Sequence, residues 1–355
     1  MQTIHNFCAG PCLLPSEVYQ EAAKAVLNFD NSGLSILSIS HRSKEFLSVL
    51  EQAKQLALEL LNLEGKGYTV LFLQGGASME FLRIPYNLLD KRAGYINTGT
   101  WSSKAIEQAK LFGEVKLVAS SEDKRFTYIP KDIIVDEELD YLHFTSNNTI
   151  YGTQFRSVPR ADCPIVCDMS SDIYSRTFDY DKIDLIYAGA QKNIGPAGLS
   201  VIIVKDEILG KVKRSIPNML NYQEHIDKES LYHTANVFGI YTCLLNFKWL
   251  KNLGGVSEIE KLNNEKAATL YNAIDNLEYV KGFANLDSRS KMNVTFSFEN
   301  DKIASIFDEL CREENIVNIK GHRSVGGYRA SLYNALSLES VQVLVSVMEA
   351  LKSKV

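Results

Sequence analysis

The stretch Asp184–Gly198, DLIYAGAQKNIGPAG, decides how the rest of the chain is read. An apolar run, Leu185-Ile186-Tyr187, gives way to Ala188-Gly189-Ala190, then to Gln191-Lys192-Asn193, and closes on Gly195-Pro196-Ala197-Gly198. That order describes a buried strand emptying into a tight turn. A lysine placed straight after such a strand cannot easily reach water. Burial disfavours its charged form and frees the amine as a nucleophile, the condition a Schiff-base lysine needs. A solvated loop lysine is the plain alternative on this stretch alone.

Working outward, short apolar runs alternate with helical patterns. Strands are expected at YTVLFLQ (68–74), AGYINTG (93–99), EVKLVAS (114–120), YLHFTSN (141–147) and PIVCDMSSD (164–172), with LSVIIVKD (199–206) as an antiparallel return. Helices are expected from Ser16, as cap, through SEVYQEAAKAVLNF, from 43 to 61, along MEFLRIPYNLL (79–89) and from 102 to 111. The stretch up to Leu139 reads as helix or loop, and residues 1–15 as irregular. This is the pattern of an α/β sheet covered on both faces. Beyond Gly254-Gly255 it changes to a helix at 256–277, strands at NVTFSF, IVNIK and YRASLYN, a helix at 301–314 and a closing helix. The expected organisation is a large domain over 16–255 and a small α+β domain over 256–355. The segment 1–15 then packs near the active site.

Composition bounds the function. The 355 residues are 45% hydrophobic and 23% charged, as in an ordinary globular protein. A net charge of −5 argues against nucleic-acid or anionic-membrane partners, which select a basic excess. The N-terminal MQTIHNFCAGPCLLP lacks the charged and apolar regions of a signal peptide, and no run approaches the ~18 apolar residues of a spanning helix. The expected location is the cytoplasm. Six cysteines are too few for a disulfide scaffold, and the spacing of Cys163 and Cys167 in CPIVC suits core thiols on one strand face better than a metal site.

Ligands of open parallel sheets sit outside the carboxyl ends of the strands. Gly75-Gly76-Ala77-Ser78 opens a helix there, and its free N–H groups could hold a phosphate, although a Gly-Gly pair also serves as a simple turn. Trp101, one of two tryptophans, could stack on an aromatic cofactor or fill a core. Asp168 ends an apolar strand, where it could cap a helix or keep a heterocyclic nitrogen protonated. A phosphate cradle, a stacking ring, an acidic partner and a buried amine are together what pyridoxal phosphate requires.

With these residues in view the chain resembles the phosphoserine aminotransferases, a class V branch of the fold-type-I pyridoxal-phosphate enzymes. The resemblance spans FCAGPCLLP, SHRSKEF (40–46), QGGASMEF (74–81), NTGTWS (97–102), YAGAQKNIGPAG (187–198) and GHRSVGGYRASLYNA (321–335). It implies that Lys192 forms the Schiff base, that Asp168 pairs with the ring nitrogen, that Trp101 stacks on the ring and that Thr149 contacts its phenolic oxygen. It assigns Ala77, Ser78 and Gln191 to the cofactor phosphate. A homodimer is implied, each subunit completing the other's cradle from a pair that reads His233-Thr234 here. The following Ala235-Asn236 departs from the two prolines common in the family, which puts the His233 contact in question.

Two of the six histidines precede arginines, in His41-Arg42 and His322-Arg323. Surface pairs are the simple reading. An arginine fork beside a tunable histidine also suits an anion, and the resemblance assigns both pairs to the distal phosphate or carboxylate of the substrates. It makes Arg329 the clamp on the α-carboxylate. The implied substrates are L-glutamate and phosphoserine, in serine biosynthesis. Whether the 4-phosphohydroxy-L-threonine step of pyridoxine biosynthesis is also served stays open. The rivals are an alanine–glyoxylate-type aminotransferase, a cysteine desulfurase, a nucleotide-binding module lacking its glycine fingerprint, and a catalytically silent pyridoxal-phosphate binder.

Overall fold

The computed structural model describes residues 3–131, 133–135 and 138–354. In chain order come β1 (His5–Asn6), α1 (Ser16–Leu27), α2 (Lys44–Glu59), β2 (Tyr68–Gln74), α3 (Ala77–Leu88), β3 (Arg92–Asn97), α4 (Thr100–Ala109) and β4 (Glu114–Ser120). β5 (Tyr141–Thr145) follows, then the short hairpin β6 (Asn147–Asn148) and β7 (Thr153–Gln154), then β8 (Ile165–Asp168), β9 (Leu185–Gly189) and β10 (Leu199–Lys205). Next come α5 (Tyr222–Asp227), α6 (Val237–Asn252), α7 (Val256–Asn276), β11 (Val280–Gly282) and β12 (Asn293–Phe298). α8 (Asp301–Glu313), β13 (Ile316–Val317), β14 (Tyr328–Ser331) and α9 (Leu338–Ala350) close the chain.

Seven strands form the central sheet in the order β2-β10-β9-β8-β5-β3-β4. β10 pairs antiparallel with both β9 and β2, and the other pairings are parallel, so β10 alone runs backwards. Successive side chains of a strand face opposite ways. Val70 and Phe72 therefore join Phe46, Leu50 and Phe247 under α2 and α6, while Leu71 and Leu73 join Phe81, Ile84 and Ile106 under α3 and α4. Each large apolar side chain buried this way contributes about 1.5–3 kcal/mol relative to exposure. A second core, under α7, α8 and α9, packs on the three-stranded antiparallel sheet β11-β12-β14.

Four local expectations need correction. Ser16 does not cap α1 with its side chain: Pro15 holds the N-cap position, and its carbonyl accepts from Val18 and Tyr19 N–H at 3.0 and 3.2 Å. α4 starts at Thr100 rather than Ser102, because the Ser102 hydroxyl turns back to accept from the N–H groups of Thr98 and Gly99, both at 3.0 Å. Cys163 precedes β8 instead of sharing its face with Cys167. The run IVNIK contributes only Ile316–Val317 as strand, and this pairs in parallel with His5–Asn6 rather than joining the β14 sheet. The residues before α1 are thus not wholly irregular; Phe7 lies in the core under α7–α9. Of the stretch to Leu139, Glu122–Lys124 is a 3-10 turn, and positions 132, 136 and 137 lie outside the described residues.

Candidate active site

Five strand ends meet at one cavity of about 520 Å³. β2 delivers Gly75–Ser78, β3 leads into Trp101, and β5 ends at Thr145 before Asn147 and Thr149. β8 ends at Asp168, and β9 runs into Gln191 and Lys192. The register aligns them: Thr145 pairs with Asp168, and Leu199, opening β10, pairs with Gln74. The Gly75 N–H donates to the Gly198 carbonyl at 3.1 Å, so the two turns on either side of the cavity are tied together. Ala9, Gly10 and Pro11 form the opposite wall, with Arg329 and His322. The Cys12 N–H bonds the Gln191 carbonyl at 3.0 Å and its thiol the Lys192 carbonyl, which fixes this wall against the lysine.

Lys192 is half-buried, and it lines the cavity. Desolvation pushes its pKa below the usual lysine value; Asp168 opposes that shift and Arg329 adds to it. The Nζ makes no hydrogen bond among the described residues, so the amine is available to the cavity. Asp168 is 5% exposed, and burial raises its pKa, against hydrogen bonding from Ser170 and the charge of Lys192. The Ser170 N–H and hydroxyl donate to Asp168 Oδ1 at 2.9 and 2.6 Å, and the Ser170 oxygen accepts from Gly189 N–H at 3.1 Å. Oδ2 carries no hydrogen bond. A carboxyl oriented through one oxygen, with the other free, can hold a protonated ring nitrogen. The countercharge would bring the carboxyl back to its ionised form.

The cradle suits a phosphate. Gly75 and Gly76 have φ of 116° and 67°, a region that favours glycine, and a Cβ on Gly75 would lie 2.8 Å from Met79 Cβ. Gly76 at the N-cap offers no side chain to the first N–H groups of α3, leaving them and the helix dipole for an anion. Gln191 folds back over Gly189, where a Cβ would stand 2.6 Å from Gln191 Oε1. Trp101 Nε1 donates to Thr149 Oγ1 at 3.1 Å, which sets the plane of the indole. The Thr145 hydroxyl is buried and unpartnered on the cavity wall. A helix N-terminus for a phosphate, a flat ring, a free carboxyl oxygen and a desolvated amine together fit pyridoxal phosphate. Among the described residues no cluster of His, Cys, Asp and Glu could hold a metal ion.

Below the cradle lies a charged pair that sequence reasoning did not single out. Glu80 and Arg83 are 0% and 3% exposed and pair at 2.6 Å. Ser200 and Tyr222 hydroxyls also donate to Glu80, both at 2.6 Å, and Arg83 Nη2 donates to the Gln74 carbonyl at 2.9 Å.

The fourteen residues singled out from the sequence divide cleanly by place. Ala77, Ser78, Trp101, Thr149, Asp168, Gln191, Lys192, His322 and Arg329 line the cavity. Arg329 Nη1 donates to the Thr149 carbonyl at 3.2 Å, and burial lowers its pKa. His322 Nδ1 accepts from Ser324 N–H at 3.3 Å, which puts the ring proton on Nε2; burial and the charges of Arg329, Arg323 and Lys104 lower its pKa. Arg323 is exposed and outside the lining. His41, Arg42, His233 and Thr234 also lie outside it. His41 and Arg83 both depress the His233 pKa after burial does, and the Gln74 amide donates to the Thr234 carbonyl at 2.9 Å.

The profile of the class-V aminotransferases matches residues 4–344. The chain belongs to the aminotransferase class-V family. Within this family it is 56% identical over 353 residues to the phosphoserine aminotransferase of Flavobacterium psychrophilum, covering 99% of each chain. Among solved class-V structures it is similar to the phosphoserine aminotransferase from Bacillus circulans subsp. alkalophilus, at 41% identity and a TM-score of 0.96 over 99% of both chains. It is also similar to pyridoxal-phosphate-bound phosphoserine aminotransferase from Trichomonas vaginalis, at 34% identity and a TM-score of 0.92, over 98% of this chain and 100% of that one.

Proposed function

We propose that this class-V aminotransferase moves an amino group between L-glutamate/2-oxoglutarate and 3-phosphohydroxypyruvate/O-phospho-L-serine, the transamination of serine biosynthesis. The observation that carries the reading is a free, poorly solvated Lys192 amine in one cavity with Asp168, Trp101, Arg329 and His322. The high identity to phosphoserine aminotransferases supports the substrate class. Pyridoxal phosphate, when bound, supplies an electron sink for charge developing at the substrate α-carbon. Ala77 and Ser78 N–H groups with Gln191 would hold its phosphate, Trp101 would cover its ring, Thr149 would meet its phenolic oxygen and Asp168 Oδ2 would keep its nitrogen protonated.

The chain's own residues then divide the labour. Arg329 binds the α-carboxylate and so orients the α-carbon toward Lys192. Lys192 Nζ, its pKa lowered by burial, takes the α-proton and returns one in the reverse half-reaction. His322 offers Nε2–H to the distal anion, with Arg323 beyond it. The cavity walls exclude bulk water from the amine. We take 16–255 and 256–355 as the two units that bring these parts together.

Four further residues suit a place in a second subunit's site. His41, Arg42, His233 and Thr234 gather away from their own cavity, and the His233 ring has both nitrogens shut from solvent without a partner. We read them as one subunit's contribution to its partner's site in a homodimer, His233-Thr234 to the cofactor phosphate and His41-Arg42 to the substrate's distal anion. A cytoplasmic location accords with six unpaired cysteines. 4-Phosphohydroxy-L-threonine carries the same α-amino acid and distal phosphate, so the proposal extends to the pyridoxine pathway.

The test is an absorbance spectrum of purified protein loaded with pyridoxal phosphate. A yellow band that shifts with L-glutamate and with O-phospho-L-serine is expected. No visible band would remove the cofactor reading, and a band indifferent to every amino donor would leave a silent binder.

A further inference from the structure

Lys266, on α7, is 2% exposed and faces no carboxylate. Its Nζ donates instead to three main-chain carbonyls, those of Leu332, Tyr333 and Leu336, at 3.0, 2.8 and 3.0 Å. Burial pushes its pKa down to about 7, whereas the three carbonyl oxygens favour the protonated head, whose three N–H groups are then all used. Three carbonyl oxygens converging on one point repel each other unless a cation sits between them. The lysine is therefore what lets the turn 332–336 close.

That turn joins the two ends of the substrate site. It leaves directly from β14, which carries Arg329. Within it, the Asn334 N–H donates to Asn193 Oδ1 at 3.1 Å, on the residue next to Lys192. The Asn193 carbonyl accepts from Asn246 Nδ2 at 2.7 Å, so Asn193 is held from the α6 side as well. Asn334 Nδ2 donates to the Tyr174 carbonyl at 2.9 Å, and Asn263, one turn before Lys266 on α7, donates to Asn334 Oδ1 at 2.9 Å. The Tyr333 hydroxyl donates to the Ala9 carbonyl on the cavity wall at 3.0 Å.

We propose that Lys266 is a positioning residue for amino transfer, its ammonium locking the 332–336 turn so that Arg329 and Lys192 share one rigid frame. Lys266 lies outside the lining of the cavity, and it acts through the turn. The inference rests on the transaminase reading. It concerns the α-carboxylate, which both amino donors share, and leaves the distal anion alone.

The experiment compares wild type with Lys266→Met, which keeps the stem and removes the charge, as cofactor-loaded protein. KM for L-glutamate and KM for O-phospho-L-serine are expected to rise together, about tenfold each, with the preference between the two donors unchanged. An unchanged pair of KM values beside a lowered melting temperature would make Lys266 purely structural and overturn the proposal. A rise confined to the phosphorylated donor would overturn it too. Should Lys266→Met not fold, Lys266→Arg retains the charge with a planar head that cannot match three converging carbonyls. A joint rise in that variant supports the proposal and unchanged KM values refute it. Failure of the wild type to use O-phospho-L-serine would instead sink the substrate reading, and the L-glutamate KM would still decide on Lys266.

Discussion

Replacing Arg83 by methionine strands Glu80, which is 0% exposed, beneath the phosphate cradle. Breaking a buried ion pair by removing one partner costs about 3–5 kcal/mol, because the other charge stays buried without compensation. Ser200 and Tyr222 continue to donate to Glu80, which favours the low end of that range. The Gln74 carbonyl also loses its bond from Arg83 Nη2, worth about 1 kcal/mol. Together the variant should be about 4 kcal/mol less stable. Glu80→Gln in the same chain removes the stranded charge, its carbonyl accepting from one hydroxyl while its amide donates to the other, so the double variant should recover about half of that loss. The assay is urea unfolding of the cofactor-free protein at one fixed protein concentration, followed by tryptophan fluorescence and circular dichroism. Gln74 leads straight into Gly75, so the gain in unfolding midpoint on adding pyridoxal phosphate should also shrink in Arg83→Met. A single variant costing under about 1 kcal/mol would mean that the pair behaves like an exposed one. A double variant costing the sum of the singles would show that no charge had been stranded.

Lys192→Ala should yield a folded protein that turns over no amino donor, and normal turnover would remove the central claim. The same variant has a signature without cofactor. The folded Lys192 pKa lies below 10.5, so between that lowered value and 10.5 the unfolded chain binds more protons and stability rises with pH. Lys192→Ala should flatten that rise, read as denaturation midpoint against pH; an unaltered slope would argue against a desolvated amine. Arg329→Ala should weaken both amino donors, whereas Arg323→Ala should hurt the phosphorylated one more, and equal losses in Arg323→Ala would count against its assignment. Ser170→Ala takes one donor from Asp168 and one acceptor from Gly189 N–H, and should lower stability by about 2–3 kcal/mol. Because Ser170 holds the Asp168 pKa down, its loss raises that carboxyl further. The cofactor-free variant should then lose stability more steeply as pH rises from 3.8 through the folded Asp168 value, and a slope equal to wild type would contradict this role.

What could be read from the sequence was whatever is local in the chain. Lys192, Asp168, Trp101 and the Gly75-Gly76 turn each sit where an apolar strand stops, and that junction is visible in a window of ten residues. The antiparallel return at 199–206 was legible for the same reason. Its insertion between β2 and β9 was not, since strand neighbours are chosen by packing across the sheet. Glu80 and Arg83 escaped notice because the groups that make them interpretable, Ser200 and Tyr222, come more than a hundred residues later in the chain. Thr145 and Ser170 flank obvious candidates, yet a threonine or serine in a strand gives no outward sign of which atom it will face. His41 and His233 drew attention through composition and resemblance; their proximity to each other is a tertiary fact.

One pairing described for the fold bears on how the protein is made. His5 and Asn6 lie beside Ile316 and Val317, and the residues just after them, Ala9 to Pro11, wall the cavity that Arg329 closes from the other side. His5 and Asn6 therefore have no strand partner until a segment about three hundred residues further along the chain has been made. A chain made only as far as β10 can complete the central sheet and expose Lys192, but not the compartment around it. The compartment for the cofactor is then finished only once β13 and β14 are in place, and Lys192 stands unshielded in any chain that stops short of them.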